Sequence, residues 1–554
     1  MIISEGSALP LGATVNDNRI NFSVAVCDMA SCKLLLYKKG ECIPYKTLEM
    51  YKSAGDIYCL SITGLSPNEF EYNFLVNDEV YVDPLAKKLV GREKWNIKGE
   101  KNKHTIRAAL NDFTFDWGKD MPLEHTMKDV VSYSLHVRGC TKHKTSGVKS
   151  KGTFEGVVEK INYITGLGIN QLHLMPIYDF EENSSYTNYW GYGKGYYFTP
   201  KSSYSAIGNG AYSFKSMVKS FHDKKIEIIL EMPFNGDSRL STILDCLRYY
   251  VLEYHVDGFI VNPSLVSLDD IKSDPVLTRT KIFYHNEEFK DNMRRFLKGD
   301  ANMVPSVMSS LYYESDEEGV YNYIANHNGF TLNDLVSYNS KHNEKNRENN
   351  TDGPEYNFSW NCGVEGYSRK KSVSLLRKNQ SKNALLLVLL SKGMPCILSG
   401  DEFGNSQKGN NNVYCQDNAT SWLDWSDLEK NVELYDFVTE LIRFRRSNDF
   451  FNGKLSDLNK NISFHGHTAY QLPSESSSRM LGVYYESDLK EESYYIAYNM
   501  YWKSQEFALP EIQKCKKWYI IGDTSNGLIS KPKQISNKSK ITIKERSICI
   551  IMAK

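Results

Sequence analysis

The run Tyr254-His255-Val256-Asp257-Gly258-Phe259-Ile260-Val261-Asn262-Pro263 decides the fold. It turns from a polar, helix-like segment into an apolar stretch and stops at Asn262-Pro263, where proline removes the next backbone donor. Such a run reads as a buried parallel strand whose last side chain reaches the mouth of a barrel, where barrels of this kind keep their chemistry. The side chain delivered there is an amide, which is a poor nucleophile.

Working outward, the same strand, loop and helix rhythm repeats on both sides. Apolar runs predict strands at 130–137, 171–176, 226–234, 257–262, 281–284, 321–325 and 396–399. Helical periodicity falls between them, at 154–167, 214–222, 240–254, 289–297, 381–391 and 434–445, with Phe154, Val157, Ile161 and Ile164 on one face of the first. Repeated βα units imply a parallel sheet with right-handed crossovers, so a (β/α)8 TIM barrel is expected over 125–450. Upstream, short alternating runs at 20–26, 33–37, 57–62 and 72–76, separated by turns such as Ser66-Pro67-Asn68, predict an N-terminal β-sandwich over 1–115. A polar crossing at 111–128 comes after it. Downstream, runs at 480–485, 494–498, 518–521 and 541–551 predict a C-terminal β-sandwich over 455–554.

Composition narrows the function. The 554 residues carry 67 Lys and Arg against 67 Asp and Glu, which speaks against nucleic acid or an acidic membrane as partner and favours a neutral ligand. Eleven cysteines without a C-x-x-C pair imply reduced thiols, a cytoplasmic location and no structural metal or other cofactor. No apolar run approaches a membrane span. The 37 tyrosines serve either as ordinary core or as platforms for sugar rings.

Val256-Asp257-Gly258-Phe259 followed by a strand-end position resembles the fourth-strand motif of the alpha-amylase superfamily, Val-Asp-Gly-Phe-Arg-Phe-Asp. The entry Pro10-Leu11-Gly12-Ala13-Thr14 resembles the N-terminal carbohydrate-module-like domain of isoamylases and glycogen debranching enzymes. That domain is read as glucan-binding or purely structural, since fold does not fix function. The segments 341–366 and 400–418 resemble the debranching subgroup specifically, either as glucan contacts or as mutually locking rim loops. The resemblance covers nearly the whole chain.

Retaining glycosidases need a nucleophilic and an acidic carboxyl group, and this family adds a third. Carried over by the resemblance, the nucleophile position is Asn262 and its orienting Arg is Ile260. The sugar-contacting His after strand three is Gly236, in Glu231-Met232-Pro233-Phe234-Asn235-Gly236. The third carboxylate is Asn328, in Asn326-His327-Asn328-Gly329-Phe330-Thr331-Leu332. On strand five the acid is expected near Phe283-Tyr284-His285. The adjoining segment from Asn286 to Phe296 matches a family segment that lies beyond a long loop after the acid. Glu287 and Glu288 then read as helix-start residues.

Asn188-Tyr189-Trp190-Gly191-Tyr192 resembles the family loop whose last tyrosine stacks under a sugar. With Trp190, His327, Asn412 and Tyr414, Tyr192 makes up the expected substrate-binding set. Asp401-Glu402 reads as a loop anchor. The sequence is therefore read as an inactive or very weak homologue of debranching hydrolases that binds α-glucan or regulates its metabolism, alone or in an oligomer with an active relative. Two rival readings stand beside it: an active hydrolase of α-1,6 branches, and a protein-interaction scaffold with a vestigial cleft.

Overall fold

The computed structural model describes residues 1–26, 31–96, 106–110, 114–183, 185–312, 319–451, 460–473, 475–487 and 490–554. Residues 111–113 of the expected crossing lie outside them. At the centre is a closed parallel barrel of strands β1 (Ser132–Leu135), β2 (Gln171–Leu174), β3 (Glu227–Met232), β4 (Gly258–Val261), β5 (Lys281–His285), β6 (Gly319–Asn322) and β7 (Met394–Leu398). Strand β7 returns to β1 through Cys396 opposite Ser132.

Alternation along each strand sorts the side chains. Ile229, Ile260, Phe283, Tyr321, Met394 and Cys396 fill the barrel interior, with Phe283 stacked on Tyr321 at 4.5 Å. Their neighbours Leu230, Phe259, Val261 and Ile282 join the larger core outside the barrel wall. Both faces are apolar because both are covered.

Around the barrel run α1 (Gly210–His222), α2 (Leu240–Tyr254), α3 (Glu287–Lys298), α4 (Lys371–Leu389) and α5 (Val432–Ser447). Helix α3 shows how its sequence sets it. The Asn286 side chain caps it by accepting from the Phe289 amide at 3.0 Å, and Glu287 and Glu288 lie in the first turn where the helix dipole favours them. Phe289, Met293, Phe296 and Leu297 form the buried face, and Gly299 ends the helix at φ 90°.

The expected barrel is there, but it closes on seven strands rather than eight. Strand β4 pairs directly with β5, Gly258 opposite Lys281 and Ile260 opposite Phe283. Between them the described crossover holds only the five-residue helix Leu268–Lys272. Other expectations shift locally. The helix expected at 154–167 is two helices, Phe154–Val158 and Ile161–Leu167. Helix α4 begins at Lys371, ten residues before its apolar half starts. The run at 541–551 is two strands, Lys540–Ile543 and Ser547–Ala553, in different sheets, with Arg546 at φ 50° in the break.

The N-terminal part holds a five-stranded and a six-stranded sheet. Phe22, Leu60 and Ile62 of one share a core with Leu34, Leu36 and Phe74 of the other. The C-terminal part holds a six-stranded and a two-stranded sheet. Its Leu481, Val483, Ile496, Tyr498, Ile548 and Ile550 belong to the same core as the barrel's outer layer. No helix among the described residues is long and apolar enough to cross a membrane.

Candidate functional site at the barrel mouth

The carboxyl ends of the strands converge on a polar network built around Glu231, the last inward-facing residue of β3. Its Oε2 lies 3.2 Å from His173 Nε2 at the end of β2. Its Oε1 accepts from the Tyr192 hydroxyl, and that hydroxyl lies 2.8 Å from His327 Nε2. His285, at the end of β5, lies 5.7 Å from His173 between ring centroids.

Burial would raise the Glu231 carboxyl. His327, the hydrogen bond from His173 and the nearby His285 outweigh it and hold the group well below the usual carboxylate range. Burial pushes His327 down and, with His173 beside it, pushes His285 down to about 4. At neutral pH the mouth thus holds an ionised carboxylate among donors. Glu287, at the start of α3, is bound instead by Tyr323 and Lys290.

The depressed His285 has a consequence for stability. Its folded-state value of about 4 lies below the usual imidazole value of about 6.5. Its contribution is therefore complete above pH 6.5 and is lost as the pH falls through 4. Urea unfolding from pH 7 to 4 should show wild type losing up to about 3 kcal/mol relative to His285→Gln. Equal losses in the two proteins would refute this. The comparison with the variant isolates His285 from Asp334, which burial raises to about 6 and which acts with the opposite sign.

Tyr192 is positioned by its own loop. The Asn188 side chain accepts from Gly191 N and donates to the Tyr192 carbonyl, both at 3.0 Å. Tyr189 N donates to the Tyr414 carbonyl at 2.8 Å, and the Tyr189 carbonyl lies 2.9 Å from His136 Nε2. Gly191 sits at φ 88°, where an added Cβ would come within 2.4 Å of the Phe180 ring. Gly191→Ala should therefore destabilise the protein by about 1–3 kcal/mol, read from the shift in urea midpoint. An unshifted midpoint would show that the loop does not require glycine.

The expected site residues divide into groups. Tyr192, Trp190 and His327 come together: Trp190 meets His327 edge-on at 5.0 Å, and Tyr192 lies nearly parallel to His327. Tyr414 borders them, 6.3 Å from Trp190, and its hydroxyl is bound to Glu348. Asn412 turns into the rim loops, donating to Asp352 at 2.9 Å.

Asn262 is exposed, and its side-chain oxygen folds back to accept from Ser264 N at 3.0 Å. Asn328 is exposed on the loop beyond His327. Ile260 lies inside the barrel, in register with Glu231 and Phe283. Gly236 is exposed, and a Cβ there would meet nothing within 4 Å. Asp401 and Glu402 anchor loops: Asp401 accepts from Leu332 N at 2.9 Å, and Glu402 accepts from Tyr133 and Tyr163 at 2.7 and 2.6 Å. Sequence reasoning missed His173. The available signal was a histidine at an inward position of an apolar strand, which needs a polar partner.

Residues 133–259, from β1 into β4, match the alpha-amylase catalytic domain. That segment ties the chain by similarity to the alpha-amylase superfamily. It is 27% identical to isoamylase 1, chloroplastic, of Oryza sativa subsp. japonica, over 94% of this chain and 82% of that protein. It is 31% identical to a glycogen operon protein GlgX homolog of Mycobacterium tuberculosis, over 63% of this chain and 62% of that one. The rice alignment runs over 663 positions, more than the chain's own 554, so the rice protein carries segments that this chain lacks. The fold is shared with pullulanase type I of Bacillus subtilis str. 168 complexed with maltose, at TM-score 0.76 and 18% identity, covering 98% of this chain and 85% of that one.

Proposed function

We propose that this chain is a catalytically silent relative of debranching enzymes that binds α-glucan at its barrel mouth. The observation that carries the reading is the direct pairing of β4 with β5. Strand β5 runs straight into α3, whose sequence matches the family segment found beyond the acid and its long loop. The unit expected to bring the general acid is thus the one by which this barrel falls short of eight strands. The other two carboxylate positions carry the amides Asn262 and Asn328. Glu231, the carboxylate of the mouth network, already accepts from Tyr192 and His173, which makes it a support rather than an attacking group.

Retention of Trp190, Tyr192 and His327 at the barrel mouth supports a sugar-binding role, because aromatic faces give sugar rings an apolar surface. Asn262→Asp should leave the chain without hydrolysis, since the leaving oxygen still lacks a proton donor. A reducing-sugar assay of this variant on a branched α-glucan checks that, and turnover would reveal an unrecognised acid. Calorimetric titration with a branched α-glucan tests the binding half. Absence of heat there, in a protein that folds, would favour the vestigial cleft.

A further inference from the structure

A second pocket lies in the C-terminal part, among its own strands and loops. It encloses about 330 Å³ and is lined by Gln471, Leu472, Glu475, Arg479, Tyr501 and Gln505, among others. That volume is at the small end of ligand sites, which run from about 300 to 1,000 Å³. Tyr501 lines it and is stacked on Trp502, with ring centroids 4.0 Å apart and planes at 26°. Trp502 is 53% exposed and backs the Tyr501 ring from outside the pocket lining.

The aromatic pair stands on a fixed base. Asn499 is wholly buried, and its side chain donates to the carbonyls of Lys503, Ile543 and Lys544 at 3.1, 3.2 and 2.8 Å while accepting from Tyr501 N at 3.0 Å. Arg546 N donates to the Tyr501 carbonyl at 3.1 Å. The opposite wall is held to the barrel. Arg479 donates to the carbonyl of Gly299, just beyond α3, at 2.6 Å, and Asn302 N donates to the Ser476 carbonyl at 2.9 Å. A preformed pocket holds its ligand at a lower ordering cost than a flexible one.

Its chemistry selects a class. The pocket offers the amides of Gln471 and Gln505, the carboxylate of Glu475 and hydroxyls beside a tyrosine ring and the apolar face of Leu472. Amides both donate and accept, as paired sugar hydroxyls require. Arg479 is its one guanidinium; it already donates to Gly299 and Ser477 and sits 5.3 Å from the Trp502 ring, so it is not free to select an anion. We propose that this pocket is a second oligosaccharide site, taking a short neutral glycan segment with Tyr501 as its stacking platform. It is independent of the cleft reading.

The test is calorimetric titration of the full chain with maltoheptaose, using wild type, Tyr192→Ala, Tyr501→Ala and Gln471→Ala. Two sites are expected in wild type. Tyr501→Ala should weaken one at least fivefold and Gln471→Ala should weaken the same one, while Tyr192→Ala leaves it intact. A single wild-type site, weakened by Tyr501→Ala and Gln471→Ala but not by Tyr192→Ala, supports this pocket and removes the cleft reading. Gln471 lies on an exposed loop, so its variant decides the matter if Tyr501→Ala does not fold. Absence of binding by wild type at millimolar maltoheptaose overturns the proposal, as does an isotherm that neither pocket variant changes.

Discussion

Arg445→Met is expected to cost about 1–3 kcal/mol of folding stability, the penalty for leaving buried acceptors without their donor. Arg445 projects from α5 and is 1% exposed. Its Nη1 donates to the carbonyls of Leu389 and Ser391 at 2.7 Å, and its Nη2 donates to that of Gly393 at 2.6 Å. Those carbonyls close α4 and lead into β7, the strand that seals the barrel against β1. A cation also suits the negative end of α4.

Methionine fills a similar volume but leaves three carbonyls without their donor in a dry interior. Lysine, with one nitrogen in place of a planar fork, should recover only part of the loss. The urea midpoint reads both variants. A shift below about 1 kcal/mol for methionine would mean that the three carbonyls find other donors.

Tyr192→Ala is expected to weaken glucan binding at the cleft by about 1–3 kcal/mol, or roughly 5- to 150-fold. The ring supplies the apolar face, while its hydroxyl ties Glu231 to His327. Tyr192→Phe separates the two roles. It keeps the ring and removes the link, so its loss should be clearly smaller than that of alanine. Titration with the same glucan distinguishes them, and equal losses in the two variants would shift the weight from stacking to the hydrogen-bonded network.

Much of the architecture was legible because local rules and tertiary demands agree. The run ending at Asn262-Pro263 is a barrel strand, and Asn286 with its two glutamates begins a helix. The strand count was legible in the periodic runs alone. Resemblance to an eight-stranded family supplies an eighth strand that the residues between 262 and 281 do not contain, whereas the periodic runs themselves number seven. The break at Arg546 was hidden in an otherwise continuous β-like run, because a left-handed residue other than glycine leaves no compositional mark.

At the site, the aromatic loop around Tyr192 could be read from its motif. The bond from Tyr192 to Glu231 joins residues 39 positions apart and arises from barrel closure, not from either local sequence. The same holds for His173, whose partner stands on the neighbouring strand.

The central claim is binding without cleavage at the barrel mouth. The most direct measurement tracks reducing ends released from a branched α-glucan by the wild-type chain, at a concentration where titration of the same sample shows the cleft occupied. The expected result is saturable heat that Tyr192→Ala diminishes, with no release above the glucan alone. Release of reducing ends that scales with wild-type protein and disappears in Tyr192→Ala would contradict the claim, placing an acid and a nucleophile where Asn262, Asn328 and a seven-stranded barrel leave none.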